Sequence, residues 1–221
     1  MLVKIGILGA GNIGGTLTRR LRELGHDVSV ANSRSPETLH DLATETGARA
    51  VWAKDIAAGA NLVIVTIPEK DVPSVPAGFL QGAAPNVVVV DTGNYYPQQR
   101  DGLISAIEDG MAESVWVQSQ LGVSVIKCFN GIEATHLLER GTDRASEGRI
   151  ALPVAGDDGD AKAVVMALVD ELGFDAVDAG TLEESWRQQP GSPVYGADLD
   201  APGVRDALSR AVSERTGAWK A

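Results

Sequence analysis

Gly9-Ala10-Gly11-Asn12-Ile13-Gly14 follows an apolar run over residues 3–8, and it opens a segment in which Ile13, Leu17, Leu21 and Leu24 share one helical face. Glycines at this spacing, between a strand and a helix, are suited to holding phosphate. The first glycine permits a tight turn. The second lets an anion approach the backbone, and the third lets helix and strand pack closely. A pyrophosphate placed there meets the unpaired N–H groups of the first helical turn. In a chain with 25 glycines the spacing alone arises easily by chance. The strand before it and the helix after it make it a dinucleotide signal.

The end of the next strand bears on which dinucleotide. Asp27 to Asn32 completes a strand–turn–helix–strand unit, and the chain continues Ser33-Arg34-Ser35. An NAD site usually has a carboxylate here to accept from the ribose 2′-hydroxyl, and this stretch has none. Ser33 can donate to a 2′-phosphate and Arg34 can pair with one through two parallel bonds, so NADP(H) is the expected cofactor. Two more strand ends should border the ligand, Thr66-Ile67-Pro68 and Asp91-Thr92-Gly93-Asn94. Pro68 would turn the chain beneath the adenine or its ribose. Thr92 and Asn94 would face the nicotinamide ribose, although Asp, Gly and Asn are also ordinary turn residues.

The elements that must position these residues alternate along the chain. A helix is expected over Pro36–Thr46, a weak strand at 48–52, and buried strands at Asn61–Pro68 and Asn86–Asp91. Residues 71–82 read as a helix made irregular by Pro73 and Pro76. A helix at Ser114–Leu121 and a strand at Val123–Phe129 come next, then a polar surface loop at 139–149. Ile150–Ala155 is a strand, and Asp157–Leu172 a helix with Ala161, Val164, Val165, Leu168 and Leu172 inward. Phe174–Ala179 is the last strand, and Pro202 starts a helix running to Arg215. The pattern predicts an α/β Rossmann-type, doubly wound, mostly parallel sheet with helices on both faces. It divides into a nucleotide-binding domain over 1–184 and a tail, 185–221, packed on the same domain or on a second subunit.

Composition narrows the partners. A net charge of −11 argues against nucleic acid and anionic membrane, but leaves room for an anionic ligand in a backbone cradle. Cys128 is the single cysteine, so no intrachain disulfide or thiolate cluster is possible. With no 18-residue apolar run and no cleavage pattern at the N-terminus, a cytoplasmic protein is expected.

No acid–base constellation stands out, and no His/Asp/Glu group has metal-ligand spacing. Hydride transfer to a flavin-like ring needs mainly alignment, so this is consistent with a redox role. A carbonyl or imine acceptor would need a proton donor. His136, Lys127, Tyr95 and Tyr96 are the candidates. Their alternative roles are a surface or cap histidine, a strand-end charge reaching solvent, and packing at the sheet edge. His26 and His40 receive no role, and Asp157-Asp158 reads as a helix cap.

Several segments together resemble the coenzyme F420-dependent NADP oxidoreductases. They are Ile5 to Gly15, Asn32-Ser33-Arg34, Thr66-Ile67-Pro68, Lys127 to Ile132, Pro153 to Asp158 and Asp178 to Leu182, within residues 3 to 184. The cytosolic domain of the STEAP metalloreductases is similar over the same stretch, including Phe129-Asn130. The resemblance implies hydride transfer between NADPH and a deazaflavin or flavin (F420, FMN or FAD), in a homodimer. It implies that Ala10 to Ile13 contact the pyrophosphate, Ser33 and Arg34 hold the 2′-phosphate, Ile67 lines the adenine side and Ala134 lies near the nicotinamide. The acceptor ring would stack near Thr92, Gly93, Asn94, Asn130 and the tail. The family's further base after the Ser-Arg pair has no counterpart in Ser35-Pro36-Glu37-Thr38. Phe129 to Ile132 differs from the His-containing version of the deazaflavin enzymes, and the tail from Trp186 matches none of theirs. A short NADPH-dependent imine or carbonyl reductase and a non-catalytic NADP-sensing protein are the competing readings.

Overall fold

In the computed structural model, which describes residues 2–221 and leaves Met1 outside, the first apolar run forms β1 (Lys4–Leu8), buried from Ile5 onward. The glycine turn leads into α1 (Asn12–Glu23), and β2 (Asp27–Ala31) follows. Pro36–Leu39 is a 3-10 turn that continues into α2 (His40–Thr46), and β3 (Arg49–Ala50) is short. After β4 (Leu62–Val65) and β5 (Val88–Asp91) come α3 (Ser105–Glu108), α4 (Glu113–Leu121) and β6 (Ile126–Lys127). The chain then forms α5 (Ala134–Glu139), β7 (Ala151–Val154), α6 (Gly159–Glu171), β8 (Asp175–Asp178) and α7 (Ala201–Ser209).

Among the described residues six strands lie parallel in the order β3-β2-β1-β4-β5-β6. The order runs outward from β1 in both directions, so a crevice opens where β1 and β4 end side by side, the place where open α/β sheets take ligands. A second parallel pair, β7-β8, joins the sheet through an antiparallel bridge between Lys127 and Ala155. The expected doubly wound, mostly parallel sheet is therefore present.

Both faces of the strands are buried, which is why they read as continuous apolar runs. On one face Ile5, Ile7, Val28, Val30 and Ile64 pack under Leu17 and Leu21 of α1, Leu137 of α5, and Val165 and Leu168 of α6. The other face is different. Leu8, Val63, Val65 and Val89 meet Ile56, Ala57, Phe79 and Val125, which come largely from turns. The helix expected over 71–82 is instead a 3-10 turn at Glu69–Ser74 followed by further turns. Pro73 and Pro76 each lack an N–H donor, and within so short a stretch too few i→i+4 bonds remain. The strand expected over Val123–Phe129 is reduced to its central pair. Val164 was expected inward but is 49% exposed, because α6 turns Val165, Leu168 and Leu172 to the core and residue 164 lies one step around. The last helix stops at Ser209, short of the expected Arg215.

In the tail, Val204, Ala207 and Leu208 of α7 pack on Ala151 and Val177 of the β7-β8 pair, with Val194 alongside. Residues 185–221 thus contribute apolar contact to strands of the same chain. No helix among the described residues is long and apolar enough to cross a membrane.

Candidate dinucleotide site

The glycine turn is built by backbone crowding. Gly9 sits at φ +113°, and a Cβ there would lie 2.2 Å from the carbonyl oxygen of Thr66. At Gly14 a Cβ would lie 1.9 Å from the carbonyl oxygen of Gly9. Gly11 is the opposite case: exposed, with nothing within 4 Å of a Cβ built on it. Its role is to keep space open, and the other two keep segments close. Gly9 N–H donates to Ala31 O at 2.8 Å, tying the turn to the end of β2. No side chain caps α1 at Gly11, so the N–H groups of its first turn remain available to a ligand.

At the end of β2 the loop is fixed by Asn32. Its Oδ1 accepts from Arg34 N–H at 2.8 Å, and its Nδ2 donates to Thr38 Oγ1 at 3.0 Å, while that hydroxyl donates to Ser35 O at 2.7 Å. Ser33 and Arg34 stand exposed on this frame. An asparagine here thus shapes the loop, leaving the serine and arginine for a ligand.

These residues line one open cleft of about 1250 Å³. The structure brings together Ala10, Gly11, Asn12 and Ile13, then Ser33 and Arg34, and at the other end Asn94, Asn130 and Ala134. Gly9 and Gly14 support it from beneath. Other predicted residues are not in its wall. The Thr66 carbonyl and side chain pack against Gly9 and Gly14, with Ile67 beside them, and Pro68 leads into the following 3-10 turn. Thr92 is buried and donates to Val65 O at 3.2 Å, while Gly93 N–H donates to Asp91 Oδ1 at 2.8 Å. They satisfy polar groups at the strand end, and Thr92, expected at the ligand, does not line the cleft.

The far end is assembled from distant segments. Asn94 Nδ2 donates to Asn130 O at 2.9 Å, Asn130 Nδ2 donates to Gln188 O at 2.7 Å, and Gln188 Nε2 donates to Asn130 Oδ1 at 3.0 Å. Phe129, just before, holds φ +63°, an uncommon backbone state for a bulky residue. Tyr96 and Tyr195 line the cleft with their hydroxyls in direct contact, and Trp219 lies 5.9 Å from the first ring and 6.2 Å from the second, centroid to centroid. Burial, then the Tyr96 hydroxyl, push the Tyr195 phenol above its usual value. Tyr195 was absent from the expected set. Nothing near it in sequence marks it.

Beneath this end lies a buried set of charges. Lys127 is fully buried: it does not line the cleft, and it is not a strand-end charge reaching solvent. Its Nζ donates to Asp91 Oδ2 at 3.1 Å and to Gly93 O at 2.6 Å, and Ser114 Oγ donates to the same Asp91 oxygen at 2.6 Å. Burial alone would lower the ammonium; the Asp91, Glu113 and Glu69 carboxylates outweigh it and hold it above its usual value. Glu69 is buried with no hydrogen-bond partner for either oxygen among the described residues. Burial, then the Asp91 charge, raise it well above the usual carboxylate range. Glu113 is raised by burial as well and pairs with Arg215 of the tail. Among the other candidates, Tyr95 is buried with its hydroxyl on Gly102 O, and His136 Nδ1 lies 2.6 Å from Asp198. Burial pushes the Cys128 thiol up. Asp158 caps α6 through the N–H groups of Asp160 and Ala161, whereas Asp157 accepts from Leu182 N–H at 3.0 Å.

Residues 4–95 match the model of the family described as NADP oxidoreductase, coenzyme F420-dependent. The protein YjhV of Escherichia coli (strain K12) is 52% identical over 56 residues, which make up 25% of this chain and 41% of that protein. The match therefore spans about two-fifths of that curated relative. Protein SMa0349 of Sinorhizobium meliloti, of hypothetical function, superposes with TM-score 0.75 at 28% identity, over 90% of this chain and 95% of that one. A protein of Arthrobacter sp. FB24 described as an F420-dependent NADP reductase gives TM-score 0.67 at 25% identity, over 81% of this chain and 86% of that one.

The three glycines should separate by assay. Gly14→Ala is expected to lower unfolding stability by about 1–3 kcal/mol, since backbone must move. Gly11→Ala is expected to keep the melting temperature and weaken NADPH binding at least about tenfold, roughly 1.4 kcal/mol. Equal stability losses in the two variants would contradict the division of roles. Glu69 supplies a pH test. Its folded value lies above its unfolded one, so wild-type stability falls as pH rises from the ordinary glutamate range through the folded value. Glu69→Gln should therefore gain on wild type in urea midpoint as pH rises from 5 to 8. A pH-independent difference would contradict the burial of an unpaired carboxyl.

Proposed function

From a chain whose residues 4–95 match the model of the coenzyme F420-dependent NADP oxidoreductases, we propose an enzyme that transfers a hydride between NADP(H) and coenzyme F420 or a flavin. The observation that carries the reading is the single cleft joining the uncapped mouth of α1 and the exposed Ser33–Arg34 pair to Asn94, Tyr96, Asn130 and Tyr195. At about 1250 Å³ it exceeds the roughly 300–1,000 Å³ of an ordinary small-ligand pocket, which leaves room for an extended dinucleotide and part of a second ring.

The residues present fit such a cofactor. Open space at Gly11 admits a pyrophosphate to the helix mouth, and Ser33 and Arg34 meet a 2′-phosphate with a hydroxyl and a guanidinium. Asn94 and Asn130, locked to each other and to Gln188, fix the ribose and nicotinamide end. Bound there, the nicotinamide supplies the hydride. The chain supplies alignment, and Tyr96 and Tyr195 offer aromatic rings at the cleft wall for an acceptor ring. A homodimer in which the tail meets a second subunit belongs to the same proposal. Steady-state oxidation of NADPH with F420, FMN and FAD each supplied tests it. Turnover with one of them is expected, and turnover with none removes the reading.

The contact between the Tyr96 and Tyr195 hydroxyls supports a second reading, reduction of an imine or carbonyl with proton delivery from a phenol. Under it, Tyr195→Phe should abolish NADPH-dependent reduction of a cyclic imine and of an aldehyde while NADPH affinity is kept. Reduction retained by that variant would remove this second reading.

A further inference from the structure

Resting on the NADP(H) reading above, we propose that Arg19, out on α1, is a second cation for the 2′-phosphate of the nucleotide and that Glu45 of α2 presets it. Arg19 lines the same cleft as Ser33, Arg34 and Thr38. Helical side chains lean toward the helix N-terminus, so a long one placed two turns into α1 reaches back toward the glycine turn. A Cβ at Gly15 would lie 3.3 Å from Arg19 Nη1 and 3.9 Å from Ala10 O, which brings the guanidinium alongside the first turn of α1. The glycine at position 15 leaves the guanidinium that space.

Glu45 determines which edge of the guanidinium is free. It takes Nε at 2.6 Å and Nη2 at 2.7 Å in a side-on pair, and Nη1 makes no hydrogen bond among the described residues. A free N–H₂ group is thus held beside Gly15, next to Glu45 of α2, in the cleft that the Asn32–Thr38 loop also lines. The pyrophosphate position lies elsewhere, over Gly11 to Ile13 at the helix mouth, and the α2 side is where a ribose 2′-substituent next to Ser33 and Arg34 would project. Arg34 makes no ion pair among the described residues, so its guanidinium is free to meet one side of a phosphate and Arg19 the other. With Arg19 only 35% exposed on its side chain and already oriented, little freedom remains to be lost on binding.

The test is fluorescence titration of the full chain, wild type and Arg19→Gln, with NADPH and NADH, and competition with 2′,5′-ADP and 5′-ADP. Arg19→Gln is expected to weaken NADPH and 2′,5′-ADP about tenfold, and to leave NADH and 5′-ADP within about twofold. Equal weakening of both pairs would assign Arg19 to the pyrophosphate and overturn the proposal, as would no change in either. A wild type that binds neither dinucleotide overturns the underlying cofactor reading and this inference with it. A wild type that prefers NADPH, with the preference intact in Arg19→Gln, overturns this inference alone. Melting temperature confirms that the variant is folded, since the arginine lies at the surface of α1.

Discussion

Backbone packed directly on backbone at the Gly9–Gly14 turn is the constraint on which the rest of the site depends. The carbonyl oxygens of Thr66 and Gly9 occupy the places where side chains at 9 and 14 would begin. Strands β1 and β4 and helix α1 therefore meet at a separation only glycine allows. That separation brings the mouth of α1 over the crevice where the strand order runs outward in both directions, and leaves its unpaired N–H groups facing out. Thr66, which lies at a strand end where a ligand contact is easily imagined, is consumed in building this contact.

A different device positions the other end. Burying ions is costly unless each is paired, and a pair broken on one side is worse than none. Asp91, Lys127 and Ser114 answer one another at the ends of β5 and β6, and Lys127 also reaches Gly93 O, so the loop bearing Asn94 is tied down from below. Glu69 abuts Gly93, where a Cβ would lie 2.6 Å from its Oε1. Asp101 accepts from Tyr96 N–H at 2.7 Å, which orients the ring that faces the cleft. Precision at the far end is thus obtained with electrostatics, where the near end uses steric contact.

The same network reaches the tail. Glu113 pairs with Arg215, and Gln98 Nε2 donates to Gly217 O at 3.1 Å and Lys220 O at 3.0 Å. These bonds place Trp219 behind Tyr96 and Tyr195. A segment that shows no motif of its own therefore completes one wall of the site. Its position links the far end of the cleft to the buried charges.

By itself the sequence determined the near end and the layout. Spacing of Gly9, Gly11 and Gly14 after an apolar run is a local pattern with a local cause, and Asn32-Ser33-Arg34 sits at a strand end that periodicity locates. Apolar runs such as Leu62–Val65 and Val88–Asp91 announce buried parallel strands because both their faces are covered. Only the tertiary structure decided the rest. Lys127 and Asp91 stand 36 residues apart, and Tyr96 and Tyr195 stand 99 apart, so neither pairing leaves a local trace. The turns in place of a helix after Pro68 depend on how few residues lie between prolines and on what covers that face. Arg19 is the intermediate case: its spacing of four from Gly15 is legible on a helix, but its edge is selected by Glu45, 26 residues away. Patterns carried by one element are written in its own residues, and contacts between elements exist only once the sheet has brought them together.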